Sequence, residues 1–297
     1  VGATSEPWFH MKGKELIDFM RNKKKEIFST IKAQITDFKS KDRPLISVIS
    51  TFYHGEKFLE GLLEDITSQS IFDKCELILV DTASPGKEKE IVQKYIDRFP
   101  NIKYYRYEER TDPTVGTNLA LEKVNSRYVT IANIDDRRSY KFLEHNLNCL
   151  MKNQKASLVY SDCATTTETN QTFKNRDLNN PILDHSSFAF SNENMIKCLP
   201  GPMPMWDTKI NEKCGFFNES YKFANDWEMW LRAVDSGFSF IKNKETLGLY
   251  LSGGRSQQEA NIQQRKEETE IFFKFSHIFR QNFHKYYEYF NQFRRIK

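Results

Sequence analysis

The sequence lacks the features that would assign it to an oxidising compartment or to a membrane. Its five cysteines are scattered, none forms a Cys-x-x-Cys pair, and their odd number argues against a full disulfide framework. No apolar run approaches the length of a bilayer span, and no apolar stretch of the secretory type is present. We therefore expect a cytoplasmic protein, and peripheral contact with a membrane surface stays open.

Charge and length set further bounds. A net charge of +4 over 297 residues is too small to indicate a nucleic-acid-binding protein, and no internal repeat is visible. The content of 39% hydrophobic and 28% charged residues is typical of a globular chain. The chain begins with Val1 instead of methionine, which is typical of a processed protein or of a fragment of a longer one.

The chain divides into three segments by pattern. Residues 1–43 comprise an aperiodic leader and an amphipathic pattern over 11–38 that predicts a helix. Residues 44–255 alternate apolar runs with amphipathic stretches, which predicts an α/β domain with a mostly parallel central sheet and flanking helices. Residues 256–297 predict helix and are dense in aromatic and basic residues. Packing against the predicted helix over 11–38 or against another subunit is the favoured interpretation of this tail, docking on a membrane surface comes second, and stacking on nucleic acid is a further alternative.

Acidic side chains follow several predicted strands at the point where each strand ends. The strands are predicted over residues 45–52, 75–81, 102–107, 128–132 and 157–161. Asp81 ends the second of them, Asp135 and Asp136 follow the fourth, and Asp162 follows the fifth. Ligand sites of parallel sheets lie at this edge. Adjacent carboxylates suit Mg²⁺ or Mn²⁺, although a solvated turn would explain this stretch taken alone.

Two later segments carry further candidates. The irregular apolar stretch 198–206 ends in Trp206, which belongs either to an acceptor pocket or to the core. Residues 225–234 predict a helix that begins with Asn225 and Asp226. Glu228 is a rival acid, but its position two residues further on turns it away from the same point. After two short predicted strands, 238–241 and 246–251, Arg255 follows a glycine pair and belongs either to a diphosphate site or to a surface loop.

Five of these segments, in this order, resemble the motifs of family 2 glycosyltransferases with the GT-A fold. Residues 47–59 align without a gap to that family's opening strand and turn, and residues 79–84 are similar to its Asp-x-x-Ser motif. Residues 117–120 resemble its Arg-Asn-x-Gly/Ala helix, and residues 133–135 stand where its metal-binding Asp-x-Asp belongs. Residues 225–232 are similar to its Glu-Asp-x-x-x-Trp-x-Arg helix. The ordered set, over about residues 45–251, is far more specific than any one motif.

The resemblance implies an inverting hexosyltransferase that moves a sugar from a nucleotide-sugar, typically a UDP-sugar, to a hydroxyl of a glycan, lipid-linked or protein acceptor. It implies Asp226 as the general base, with Asn225 and Trp206 on the acceptor side. Asp135 would bind Mn²⁺ or Mg²⁺, with Asp136 as a second ligand. The implied donor-binding residues are Thr51, Phe52, Tyr53, Asp81, Asn118, Asn133 and Asp135. Arg255 is a further donor-binding candidate, which the residues themselves suggest and the family pattern does not.

The sequence also departs from the family pattern. Asn133 replaces the first acid of Asp-x-Asp, Thr117 replaces the usual arginine, and Asn225 replaces the glutamate before the base. The family's histidine after the last strand is missing. These departures motivate a second hypothesis, a binding or scaffolding module of the same fold without catalysis. A nucleotidyltransferase is a third hypothesis, and the lack of a glycine-rich basic phosphate loop after the first strand counts against it.

Overall fold

The computed structural model describes residues 43–253 and 262–295, together with four isolated positions before residue 43. The chain forms two compact units, Val1–Arg43 and Pro44–Lys297, and the second contains the sheet. The predicted helix over residues 11–38 lies almost entirely outside the described residues, and Arg255 lies outside them as well. The three predicted segment boundaries stay predictions.

The first half of the second unit is a run of parallel strands joined by helices. Every residue of the second strand is buried, as the apolar run at its centre, residues 77–80, predicts. Pro113 begins the third helix, and Asp112 caps it by accepting a hydrogen bond from the Thr114 amide. The elements are β1 (Ile46–Phe52), α1 (Glu56–Thr67), β2 (Cys75–Thr82), α2 (Glu88–Ile96), β3 (Ile102–Tyr107), α3 (Pro113–Leu121) and β4 (Tyr128–Ile131).

The second half completes the sheet and adds helices. Its elements are β5 (Arg137–Arg138), α4 (Phe142–Lys152), β6 (Ala156–Thr166), β7 (Met205–Asp207), α5 (Lys209–Cys214), α6 (Asn225–Asp235), β8 (Ser239–Leu251), α7 (Ile262–Lys274) and α8 (Arg280–Asn291). The strand order is β3-β2-β1-β4-β7-β6-β8-β5. Strands β1 to β4 pair in parallel, and β7 joins β4 to β6 through antiparallel pairing. The mixed, mostly parallel sheet with flanking helices confirms the predicted α/β fold class.

Four strands differ from the prediction. The two-residue strand β5 was not predicted, and β6 continues to Thr166 instead of ending at residue 161. The segment before Trp206 predicts irregular structure, but Met205–Asp207 forms the short strand β7 between β4 and β6. The two strands predicted over residues 238–241 and 246–251 are one strand, β8. The polar residues 242–245 interrupt the apolar pattern, and irregularities in the β6–β8 register carry the pairing across them.

The aromatic tail packs inside the unit. Phe272, Phe275, Phe279 and Phe290 are buried in a core cluster that also contains Trp206 and residues of β6. The Phe272 and Phe290 rings stack with their centroids 4.3 Å apart, which joins α7 to α8. No helix within residues 43–253 and 262–295 has the length and apolar character needed to cross a bilayer. Contact of the tail with a membrane surface or a second subunit stays a prediction.

Candidate active site

Asp81 lies at the end of β2 with both carboxylate oxygens engaged. Its Oδ1 accepts a hydrogen bond from the Ser84 amide at 2.8 Å. Its Oδ2 accepts from Tyr104 Oη and from Arg106 Nη1, each at 2.6 Å. Asp81 is fully buried whereas the Arg106 side chain is one-third exposed, at 33%. A ligand at this strand end therefore meets Arg106 before it meets Asp81.

Arg106 was missed by sequence reasoning, although the strand pattern contains a signal for it. The parallel register of β2 and β3 places Arg106 directly beside Asp81. Tyr104 precedes Arg106 by two residues and so shares its face of the sheet. Burial, followed by the hydrogen bond to Asp81, raises the pKa of Tyr104 to about 12. The phenol therefore stays protonated and donates to the carboxylate throughout the neutral range.

The turn after β1 divides into a buried and an exposed part. The Phe52 side chain lies in the core, so only its backbone is available to a ligand. The Tyr53 ring is 36% exposed, and the Arg110 guanidinium lies 4.4 Å from its centroid. Thr51 packs against Gly116 of α3, where any β-carbon would overlap its hydroxyl. This close approach explains why a glycine occupies that helix position.

Asn118 connects α3 to the loop before α6. Its Nδ2 donates to the Phe217 carbonyl and to Glu219 Oε1, both at 2.9 Å, and its Oδ1 accepts from the Phe217 amide at 3.1 Å. The side chain is 7% exposed. These bonds use both amide hydrogens of Asn118, so a donor contact through them would require the loop to be released.

The acidic turn after β4 contains two different carboxylates. Asp136 is buried, and its oxygens accept from the Leu251 amide and from Asn133 Nδ2, each at 3.0 Å. Burial, reinforced by the neighbouring Asp135 charge, raises the pKa of Asp136 to about 7. Asp135 is half-buried, and burial also raises its pKa. Asp135 is therefore the acid of this turn that is available to a ligand.

Two buried arginines hold this turn in place. Arg137 Nη1 donates to the carbonyls of Ile134 and Asp136 at 2.8 and 2.7 Å. Arg138 pairs with Asp65 of α1, at 3.5 Å between Nη1 and Oδ2. Both arginines are more than nine-tenths buried, and Gly61 gives Arg137 the room that a side chain would fill. The turn that carries Asp135 and Asp136 therefore depends on the side chains of Arg137 and Arg138, whose roles were not predicted from the sequence.

Asp226 lies in the first turn of α6. Its Oδ1 accepts a hydrogen bond from the Trp227 amide at 2.7 Å, and the Cys198 thiol donates to its Oδ2 over 3.4 Å. Burial raises the pKa of Asp226, while these two bonds and the nearby His185 oppose the rise. Burial and Asp226 together raise the pKa of the Cys198 thiol, so the thiol stays protonated. A carboxylate whose pKa is raised in this way suits general-base chemistry.

Asp226 and Asn133 line the same cleft, which has a volume of about 540 Å³. Residue 133 follows a strand of the first half, whereas residue 226 begins a helix of the second half. His185, interpreted from sequence as a surface residue, is exposed and also lines the cleft. Other lining residues come from residues 183–202, from the start of α6, and from α7 and α8. The fold therefore joins the strand-end turn to the candidate base in one cavity.

The structure corrects one acceptor-side prediction and shows that the rival acid, Glu228, is already paired. Trp206 is fully buried, its Nε1 donates to Asn211 Oδ1 at 2.7 Å, and its centroid lies 5.2 Å from that of Trp230. The acceptor role of Trp206 is therefore wrong, because β7 carries the ring into the core. Glu228 is buried and pairs with Arg232 and Lys274, so it has a structural role.

Asn225, the other predicted acceptor residue, lies half-buried beside Asp226 but does not appear among the residues that line the cleft. Its side-chain amide donates to Thr114 Oγ1 of α3. Thr114 in turn donates to the Tyr221 carbonyl at 3.3 Å. These contacts hold the start of α6 against α3, and a direct acceptor contact of Asn225 stays a prediction.

Glu267 of α7 supports the loop that leads to Asp226. Its carboxylate accepts three backbone hydrogen bonds, from the amides of Lys222, Phe223 and Ala224, at 3.1, 2.8 and 3.1 Å. Glu267 is 3% exposed. A negative charge there also favours the N-terminus of α6. Sequence reasoning missed this residue because 43 positions separate it from the nearest amide that it binds.

The chain is similar in sequence to known glycosyltransferases. The model of Glycosyl transferase family 2 matches residues 47–215, more than half of the chain. An uncharacterized glycosyltransferase of Methanocaldococcus jannaschii is 24% identical over 226 residues, which cover 76% of this chain and 77% of that protein. The putative teichuronic acid biosynthesis glycosyltransferase TuaG of Bacillus subtilis is 31% identical over 110 residues, 37% of this chain and 43% of that protein.

Solved structures share the fold at low identity. S. aureus TarS 1-349 in complex with UDP-GlcNAc matches with a TM-score of 0.64 and 17% identity, covering 78% of this chain and 66% of that one. The mannosyltransferase PcManGT from Pyrobaculum calidifontis, in complex with GDP-Man and Mn²⁺, matches with a TM-score of 0.58 and 17% identity, covering 78% and 64%. This chain thus spans less than half of TuaG and under two thirds of the mannosyltransferase.

Proposed function

Because the chain belongs to glycosyl transferase family 2, we propose that it moves a sugar from a nucleotide-sugar donor to an acceptor hydroxyl, with Asp226 as the general base. One observation carries the proposal: Asn133 at a strand end and Asp226 at a helix start line the same cleft. A donor at the strand ends would present its sugar toward Asp226. Asn133 belongs to the segment that resembles the family's metal-binding motif, and Asp226 belongs to the segment that resembles its general-base motif. Both motifs therefore contribute a side chain to one cavity.

The chemistry is a single displacement. Asp226 takes the proton of the acceptor hydroxyl as its oxygen bonds to the anomeric carbon, while the bond from that carbon to the donor diphosphate breaks. The nucleotide leaves with the electron pair, and the configuration at the carbon inverts. A hydroxyl is a poor nucleophile, so a carboxylate with a raised pKa in the same cavity is the group that this step requires.

We assign the nucleotide to the edge formed by Tyr53, Asp81 and Arg106. Tyr53 offers the ring face that Arg110 does not cover as a stacking surface, and Arg106 offers hydrogen-bond donors. A uracil nucleotide is the first candidate because the TarS structure contains UDP-GlcNAc. The PcManGT structure contains GDP-Man, so a guanine nucleotide is the competing one.

A divalent ion would be held by Asp135 together with the donor phosphates, and it would stabilise negative charge on the leaving diphosphate. The residues fit such an ion only with the donor present. Asp136 is turned inward onto protein donors, and among the residues that the structure describes no cluster of three acidic, histidine or cysteine side chains forms a complete site. Whether the ion is Mn²⁺ or Mg²⁺ is part of the proposal's test.

The proposal is tested by a donor-hydrolysis screen. UDP- and GDP-sugars are incubated without acceptor, with Mn²⁺ or Mg²⁺, and nucleotide release is compared between wild type and Asp135→Ala. We expect metal-dependent release from one donor and its loss in the variant. Donor binding by thermal shift without hydrolysis or transfer would instead favour the non-catalytic binding module that the departures at Asn133 and Thr117 suggest.

A further inference from the structure

The C-terminal helices contribute a distinct part of the cleft. Gln264, Arg265 and Glu268 of α7 line the cavity that contains Asp226, and so do Tyr289 and Phe290 of α8. Of the predicted donor-binding residues that the structure describes, Asn133 alone lines this cavity. The part formed by α7 and α8 therefore shares its space with the candidate base and is separate from the Tyr53 and Asp81 edge.

Tyr289 has the properties of a fixed aromatic platform. Its ring is 41% exposed although it lines a cavity. It packs edge-on against the buried Phe290, with centroids 5.0 Å apart, and against Phe293, with centroids 5.6 Å apart. These neighbours fix the plane of the ring while a large part of its surface stays open. An open, oriented aromatic ring offers apolar contact at little cost in conformational entropy.

A polar cluster stands beside this ring. Glu268 accepts hydrogen bonds from Gln264 Nε2 and from Arg265 Nη1, each at 2.7 Å, which fixes all three planar groups. The Arg265 guanidinium carbon lies over one face of the Tyr289 ring, 5.7 Å from its centroid, so the cluster adjoins the ring and leaves the other face for a ligand. The cluster keeps unused capacity, since Arg265 has five N–H donors and each carboxylate oxygen can accept twice.

An aromatic platform edged by fixed donors and acceptors matches the two-sided chemistry of a sugar ring. A pyranose presents C–H groups on its faces and hydroxyl groups around its rim. The Tyr289 ring complements the C–H groups, and the polar cluster complements the hydroxyl groups. A lipid tail would desolvate the donors and acceptors that the Gln264–Glu268–Arg265 cluster does not use internally and would offer them no partner, which is costly. The observations thus favour a sugar among the possible acceptors.

We propose that Gln264, Arg265, Glu268 and Tyr289 form the acceptor subsite and that the acceptor hydroxyl belongs to a pyranoside, which stacks on Tyr289. This inference rests on the proposed function, because it takes Asp226 in the same cleft as the base. It also gives the aromatic tail a role in substrate choice, in addition to its packing.

The first experiment measures binding and does not depend on turnover. Methyl pyranosides of glucose, galactose, mannose and N-acetylglucosamine are titrated at millimolar concentration, and binding is followed by saturation-transfer NMR. Wild type is compared with Tyr289→Ala, Tyr289→Phe and the control Tyr140→Ala. Tyr140 is 60% exposed and does not line the cleft. We expect at least one pyranoside to bind, with Kd raised about tenfold in Tyr289→Ala, or about 1.4 kcal/mol, and unchanged in the other two variants.

The second experiment measures turnover in the same proteins. Tyr289→Ala should raise the KM for the bound pyranoside as acceptor by a larger factor than the donor KM, whereas Tyr140→Ala should leave both KM values and donor hydrolysis at wild-type values. Absence of binding by all four pyranosides would overturn the inference, and so would equal behaviour of Tyr289→Ala and Tyr140→Ala. If Tyr289→Ala raised the donor KM and left the acceptor KM unchanged, Tyr289 would belong to the donor site, and the inference would also be overturned. Pyranoside binding through Tyr289 without any donor hydrolysis would support the subsite while the proposed function fails.

Discussion

The proposed donor edge, which comprises Tyr53, Asp81 and the turn at 133–136, and the cleft that contains Asp226 are built in different ways. The donor edge arises from consecutive strands whose parallel pairing brings Asp81 and the turn at 133–136 to one side of the sheet. The cleft is assembled from residues 183–202, the start of α6 and the two C-terminal helices. Local pattern therefore specifies the first region, whereas long-range contacts specify the second. Changes in the cleft should accordingly separate catalysis from donor binding.

The largest effect is expected at Glu267. Replacement by alanine leaves three backbone amides of the loop 222–224 without their acceptor, which should lower the free energy of unfolding by about 3–5 kcal/mol. Urea unfolding followed by tryptophan fluorescence measures this loss. The exposed Glu288→Ala is the matched control, and we expect a change within about 0.5 kcal/mol there.

Glu267→Gln gives the kinetic side of the same prediction. The amide keeps the side-chain shape but supplies one acceptor oxygen instead of two, so the loop before Asp226 should be less firmly held. We expect kcat to fall about tenfold with the donor KM unchanged. If kcat stayed at the wild-type value in a folded Gln variant, Glu267 would be a structural residue only.

These contacts mark the limit of what the sequence could predict. The first four strands were predicted within about a residue, because β1, β2 and β4 contain short buried apolar runs and β3 is rich in tyrosine, which favours strands. β7 was missed because it is three residues long and lies in a proline-rich stretch. The burial of Trp206, which lies in β7, was missed for the same reason. Arg106 could have been predicted from strand alternation, but the three amides bound by Glu267 follow from tertiary packing alone.

A smaller effect is expected at Asn118, which connects the two regions. Asn118→Ala removes two hydrogen bonds to the Phe217 backbone and one to the Glu219 carboxylate, and it should lower the free energy of unfolding by about 2–3 kcal/mol. Donor affinity, measured by thermal shift with the donor identified in the screen, should change little. A tenfold loss of donor affinity in a variant of unchanged stability would instead support the direct donor contact that the family resemblance implies.

The smallest effect is expected at Cys198. Its thiol hydrogen bond favours the ionised form of Asp226, so Cys198→Ala should raise the pKa of Asp226 further. Catalysis needs the carboxylate, so the acidic limb of the pH–rate profile should move to higher pH, by less than about one unit. Cys214→Ala, which removes a thiol that does not line the cleft, should leave the limb in place. A shift to lower pH in Cys198→Ala would contradict the assigned direction.

The most direct test of the account is the turnover of Asp226→Asn. Asparagine keeps the size of the side chain and can still accept from the Trp227 amide, but it cannot take a proton from an acceptor. The account predicts that transfer falls by about 10²–10⁴-fold while the donor still binds with wild-type affinity in a thermal-shift titration. Transfer at the wild-type rate would contradict the assignment of Asp226 as the base and, with it, the proposed function of the cleft.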